Sequence, residues 1–178
     1  MNIQTLLHEY NQGDRNFSDL SLKGRSLPNT VLSGSDFSRC DLSSADFSRA
    51  DLSRANLAFA NLTDADLIET DLSGTDLKGV NLIGADLSGA SLVGANLSGA
   101  DIRAANFESA DLSGANLAEV VASGANLCKA NLTGACVDRR QLEEADCDGA
   151  ILENLEEAAV SNETACTSTS WVSWGAHR

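Results

Sequence analysis

At 178 residues and 18.6 kDa the chain has room for one ordinary domain, yet Phe, Trp and Tyr make up only 4% of it while apolar residues reach 43%. Any core must therefore be built from small aliphatic side chains, and intrinsic disorder, which goes with a scarcity of such residues, is a poor fit. Twelve basic residues against 26 acidic ones give a net charge of -14, which argues against direct binding to nucleic acid or anionic lipid.

Residues 2–12 read as an amphipathic helix. Asn2 is placed to cap it, Ile3, Leu6, Leu7 and Tyr10 share one face, and Gly13 stops it. The first 15 residues hold no apolar leader, and nothing approaches 18 consecutive apolar residues. A cytoplasmic protein without membrane association is expected.

From Phe17 to Leu132 the chain repeats every five residues. Every fifth position is Leu, Phe or Ile in 23 of 24 cases, and Ala122 is the exception. Two residues earlier stands a small residue, as at Ala45, Ala50 and Ala55. Between them comes Asp or Asn in most units, and 12 of the 14 glycines fall in the last place of a unit. A helix would rotate successive leucines around its axis and a straight strand would alternate them between faces, so neither accommodates this period. The chain must bend once per pentad. Gly suits such bends because it tolerates conformations that a side chain disfavours. Coils so formed stack backbone on backbone as a parallel β-solenoid.

The unit Ala85-Asp86-Leu87-Ser88-Gly89 and its neighbours resemble the pentapeptide-repeat family over roughly residues 15 to 152. The resemblance implies an all-β fold, a right-handed quadrilateral parallel β-helix with four pentads per 20-residue coil and the large and small residues inside. Residues 1–13 then form an N-terminal capping helix, 14–152 the β-helix, 153–160 a C-terminal capping helix suggested by Leu152, Leu155 and Ala159, and 161–178 a flexible Ser/Thr-rich tail. Met1, Asn2, Leu7, Tyr10, Gly13, Arg15 and Phe17 are also similar to the opening of certain cyanobacterial members, one of them linked to heterocyst differentiation.

If four pentads make a coil, adding 20 to a residue number finds its neighbour above. That places Asp46, Asp66 and Asp86 in one column, continued by Asn106 and Asn126. Stacked carboxylates would repel and raise their pKa values or attract a cation, but the interchange of Asp with Asn points to hydrogen bonds with the local backbone instead. Arg39 stands one coil from Asp19, and Arg49 one coil from Glu69, as solvated pairs. Phe59 faces outward one coil above Arg39, so a cation–π contact or a docking patch is expected there. The two tryptophans, Trp171 and Trp174, lie in the tail and suit either packing on the body or anchoring to a partner. The candidate partner-binding residues are therefore Phe59, Arg39, Trp171 and Trp174.

His8 and His177 fall outside the repeats, so no Ser-His or Cys-His pair can be placed in the solenoid. Gly74 and Gly79 imitate a phosphate loop, but Val80 stands where Lys is needed. Five cysteines at scattered spacing signal neither a zinc site nor a disulfide framework, and Cys128, Cys136 and Cys166 are the ones that could be more than small buried residues. No catalytic residue, cofactor or metal is expected.

The expected function is non-enzymatic binding or scaffolding of another protein by a largely monomeric rod. The alternative is an acidic DNA mimic acting on DNA gyrase or another DNA-binding protein, as the resemblance implies for some family members. Residues 15–140 hold 16 acids and 11 bases, and residues 141–163 hold eight acids and no base. The rod's net of -5 over about 32 Å is one charge per ~6 Å, against one per ~1.7 Å for duplex DNA. Its charge sits at one end.

Overall fold

The computed structural model describes residues 2–156. Helix α1 spans Ile3–Asn11, and Asn2 caps it by accepting the Thr5 amide at 2.8 Å. Leu6 is wholly buried, and Ile3, Leu7 and Tyr10 pack beside it against the apolar core of the coils. Tyr10 donates its hydroxyl to the Ser33 carbonyl at 3.1 Å, and the Arg15 guanidinium lies over its ring at 3.8 Å. These contacts join the helix to the first coil.

Thereafter the backbone pairs in parallel with itself, 20 residues on, from Asn16 with Asp36 through to Cys136 with Glu156, with the step from Val121 to Gln141 left out. Four pentads therefore complete each coil. Each rung carries two hydrogen bonds of fixed register: the Leu87 amide donates to the Asn106 carbonyl at 2.7 Å and the Asp86 amide to the Ala65 carbonyl at 3.0 Å. Between rungs the chain turns a corner, closed by bonds such as Ala90 amide to Leu87 carbonyl at 3.0 Å. The third residue of the turn is left-handed, at Gly89 and Gly94 but equally at Arg39, Phe59, Glu69 and Lys129. Glycine is thus the least strained corner residue rather than an obligatory one.

The large residues of the repeat are fully buried, with the small ones beside them. Phe17 and Phe37 stack at 5.5 Å between centroids, and Phe37 meets Phe47 at 6.5 Å. At three polar small places the hydroxyl or thiol reaches a carbonyl 23 residues earlier, Thr70 to Phe47 at 2.8 Å, Thr75 to Leu52 at 2.9 Å and Cys40 to Phe17 at 2.9 Å, whereas Thr30, in the first coil, donates to the Leu27 carbonyl at 2.7 Å. Among the described residues Ser35 is the buried hydroxyl without a partner. Its carbonyl 23 positions back would belong to Gln12, at the end of α1, and not to a coil.

Two departures mark the far end. A 3₁₀ helix, Arg139–Leu142, replaces one pentad. The helix expected over 153–160 does not begin at 153: Asn154 is a left-handed corner and Glu156 pairs with Cys136, so the coil continues to 156. Residues 157–160 and the tail lie outside the described residues.

Candidate functional site

The four faces carry their side chains in columns. In the column of Asp46, Asp66, Asp86, Asn106 and Asn126, each Oδ1 accepts the amide two residues ahead at 2.9–3.1 Å. Asn106 and Asn126 also donate Nδ2 to Oδ1 of the residue one coil below, each at 3.0 Å. The oxygens are thus occupied by local donors. Asp46, which also accepts the Ser48 and Ser26 hydroxyls, is held below the usual carboxylate range, first by the Ser48 hydroxyl. The repulsion that stacking alone would bring is outweighed there. Among the described residues no group of His, Cys, Asp and Glu is arranged to hold a metal ion.

Arg39 binds Asp19 through two bonds of 2.8 and 2.7 Å, and Arg49 reaches Glu69 at 2.8 Å. Arg103 pairs with Asp101 at 2.7 Å and Lys129 with Glu108 at 3.1 Å. The Arg39 hydrogen bond holds the Asp19 carboxyl below its usual range. Because Arg39 turns down toward Asp19, the expected cation–π contact with Phe59 is not formed; among the described residues that contact belongs to Arg15 and Tyr10. Phe59 remains 60% exposed at a left-handed corner, with its ring laid across Gly79, where an added Cβ would fall 2.7 Å from the ring. Trp171 and Trp174 lie outside the described residues.

Cys40, Cys128 and Cys147 are free thiols, and burial pushes the Cys40 thiol up to about 11, far from a reactive thiolate. His8 stands on α1. Near the last coil Leu142, Cys147, Leu152 and Leu155 line an open hollow of about 210 Å³. A second cleft of the same volume lies beside the 3₁₀ helix, over residues 120–123. Sequence reasoning noted Ala122 as an exception to the period but did not see this cleft. The signal was available in Val120-Val121-Ala122, a unit departing from the usual residue type in all three places.

No helix among the described residues is long and apolar enough to cross a membrane. No curated protein matches the chain. Among solved structures it is similar to the pentapeptide repeat protein Rfr23 of the cyanobacterium Cyanothece 51142, at 27% identity over 86% of this chain and 98% of that one, with a TM-score of 0.53. HetL of Nostoc sp. strain PCC 7120, a pentapeptide repeat protein involved in heterocyst differentiation regulation, is 28% identical over 89% and 97%, at a TM-score of 0.49. QnrB1, a plasmid-mediated fluoroquinolone resistance protein, shares the fold at 18% identity over 82% and 88%, with a TM-score of 0.55. The right-handed quadrilateral β-helix is the architecture of these neighbours. The model for pentapeptide repeats matches residues 16–54, 45–82, 81–117 and 105–139, well over half of the sequence, and with every coil pairing 20 residues on, the chain belongs to the pentapeptide repeat family.

Proposed function

We propose that the protein is a non-enzymatic binding or scaffolding solenoid that presents rigid faces to another protein, with α1 serving as the cap of its first coil. The observation that carries this reading is Phe59. A bulky aromatic residue held left-handed is strained by about 1–2 kcal/mol, and at 60% exposure it recovers little of that by burial. Glycine fills the next corner above it, at Gly79. A strained, exposed aromatic side chain on a rigid frame is the kind of feature that anchors an interface.

Trp171 and Trp174 form the second candidate anchor, on the aromatic character of the tail alone. The acidic-mimic alternative gains nothing from the faces, where aspartates of the columns are tied to backbone amides and four carboxylates are paired with Arg or Lys. A photo-crosslinking phenylalanine analogue placed at 59, and separately at 171, tests the assignment in the native cell. A specific adduct at 59 that excess unlabelled wild-type protein competes away, and that excess Phe59→Ala protein does not, supports the corner, and an adduct only at 171 moves the site to the tail. Absence of a specific protein adduct from both positions refuses the reading.

A further inference from the structure

The backbone ladder is interrupted over one short stretch of the described residues, where the Glu119 amide does not reach the Asp138 carbonyl as its counterparts at the other corners do. From Phe17 to Val137 each inward residue donates its amide to a carbonyl in the next coil, except Ala122 among the described residues. The Val120 carbonyl is unpaired for the same reason. Its partner should be the Gln141 amide, as Asp146 serves Ala125 and Ile151 serves Ala130, but Gln141 donates instead to Asp138 at 2.9 Å. Asp138 also accepts the Arg140 amide at 2.9 Å, which tightens the chain into the 3₁₀ helix and takes Gln141 off the rung. The rungs on either side are whole. Val121 is paired below with Asp101, Asn126 is paired above with Asp146, and the Gly124 amide rejoins the ladder at Glu144, 2.8 Å away.

The gap opens into the cleft of about 210 Å³ lined by residues 120–123 with Arg140, Gln141, Glu143 and Glu144. The cleft is open to solvent and well above the size that holds a single water. Val121 is 48% exposed there, and the buried Oε1 of Gln141 has no partner. The cleft thus holds an unpaired backbone donor and acceptor two residues apart, the set that a bridging strand residue satisfies. Its surroundings are acidic. Residues 141–156 hold six acids and no Lys or Arg, leaving Arg140 as the base of the cleft.

We propose that this gap is a docking site for an extended basic peptide segment of a partner protein, one residue of which supplies the missing rung. That residue donates its amide to the Val120 carbonyl and accepts the Ala122 amide through its own carbonyl. Flanking Lys or Arg side chains meet Glu143 and Glu144. The proposal rests on the protein-binding reading and names the chemistry of one partner segment.

The test titrates full-length protein with the blocked peptide Lys-Val-Thr-Val-Lys and follows amide NMR signals. Saturable shifts centred on Ala122 and Gly124 are expected, weakened about tenfold by N-methylating the central Thr of the peptide, which removes one hydrogen bond. Glu143→Gln with Glu144→Gln should weaken binding several-fold, and Glu-Val-Thr-Val-Glu should not bind. Shifts indifferent to N-methylation, or none at Ala122, overturn the proposal. So does an Ala122 amide already protected from exchange in the free protein: protection that survives dilution gives the rung to the chain's own remaining residues, and protection lost on dilution gives it to a second copy. Crosslinking at Phe59 or Trp171 is independent of this rung, so failure here leaves the broader reading standing.

Discussion

The Thr70 hydroxyl donates to the Phe47 carbonyl, 2.8 Å away and 23 residues earlier in the chain, and both groups are sealed from water. The bond lets a polar residue occupy a place that elsewhere takes Ala, without an orphaned hydroxyl. Thr70→Val keeps the volume and deletes the donor, so it should cost about 1 kcal/mol in chemical denaturation. Ser35→Ala removes a buried hydroxyl that has no acceptor, and it should be neutral or stabilising. If Ser35→Ala were the more damaging of the two, this account of buried hydroxyls would be wrong.

The core depends on stacking of like positions. Leu87 is fully buried on the face it shares with Leu67 and Phe107, one coil below and above. Leu87→Ala should lower stability by about 2–5 kcal/mol, and Leu87→Lys should prevent stacking of its coil. Ser88→Lys, on the outer face, should be nearly silent. A thermal-melt series reads the order directly.

Acid should loosen the rod. Asp41, held low first by the Ser43 hydroxyl, Asp46 by the Ser48 hydroxyl and Asp101 by Arg103 all lie below the ordinary value of 3.8. A depressed folded pKa means that the ionised form is favoured by folding, so the stabilisation is complete above 3.8 and is lost as pH falls through the folded values. The melting temperature should therefore hold steady above about pH 5 and fall below about pH 4. Asp41→Asn, Asp46→Asn and Asp101→Asn together keep an Oδ1 for the backbone amides and remove the charge. They should flatten the acid limb, and an unchanged limb would place the titration elsewhere.

How much of this was legible follows from what the repeat dictates. Inward positions are fixed by packing, so the register and the 20-residue step lead straight to Arg39 with Asp19 and Arg49 with Glu69, both of which form. The step gives neighbours, but not which neighbour a long side chain chooses, and Arg39 takes Asp19 rather than Phe59. Leu152 and Leu155 suit a helix or a last coil equally by spacing. The ladder decides between them, since the Glu156 amide donates to the Ala135 carbonyl at 2.9 Å. The gap at Ala122 was hidden because it depends on Asp138 capping a tight turn sixteen residues later, an interaction without a periodic signature.

Gly79 and Phe59 join the fold to the proposed function. Both are left-handed corners, one coil apart, and the ring of Phe59 occupies the space above Gly79. Gly94 is also left-handed but has nothing within 4 Å of an added Cβ, so Gly94→Ala should cost the backbone strain alone, about 1–2 kcal/mol. Gly79→Ala carries the same strain and in addition must push the ring aside, at a Cβ separation of 2.7 Å. It should therefore cost more than Gly94→Ala, and in a Phe59→Ala background the excess should vanish, a coupling that a double-mutant cycle measures. The displaced ring should also weaken partner crosslinking at the Phe59 corner, while Gly94→Ala leaves it unchanged. Equal costs for the two glycine substitutions in both backgrounds would mean that Phe59 swings freely, and a freely swinging ring is not the rigid anchor proposed here.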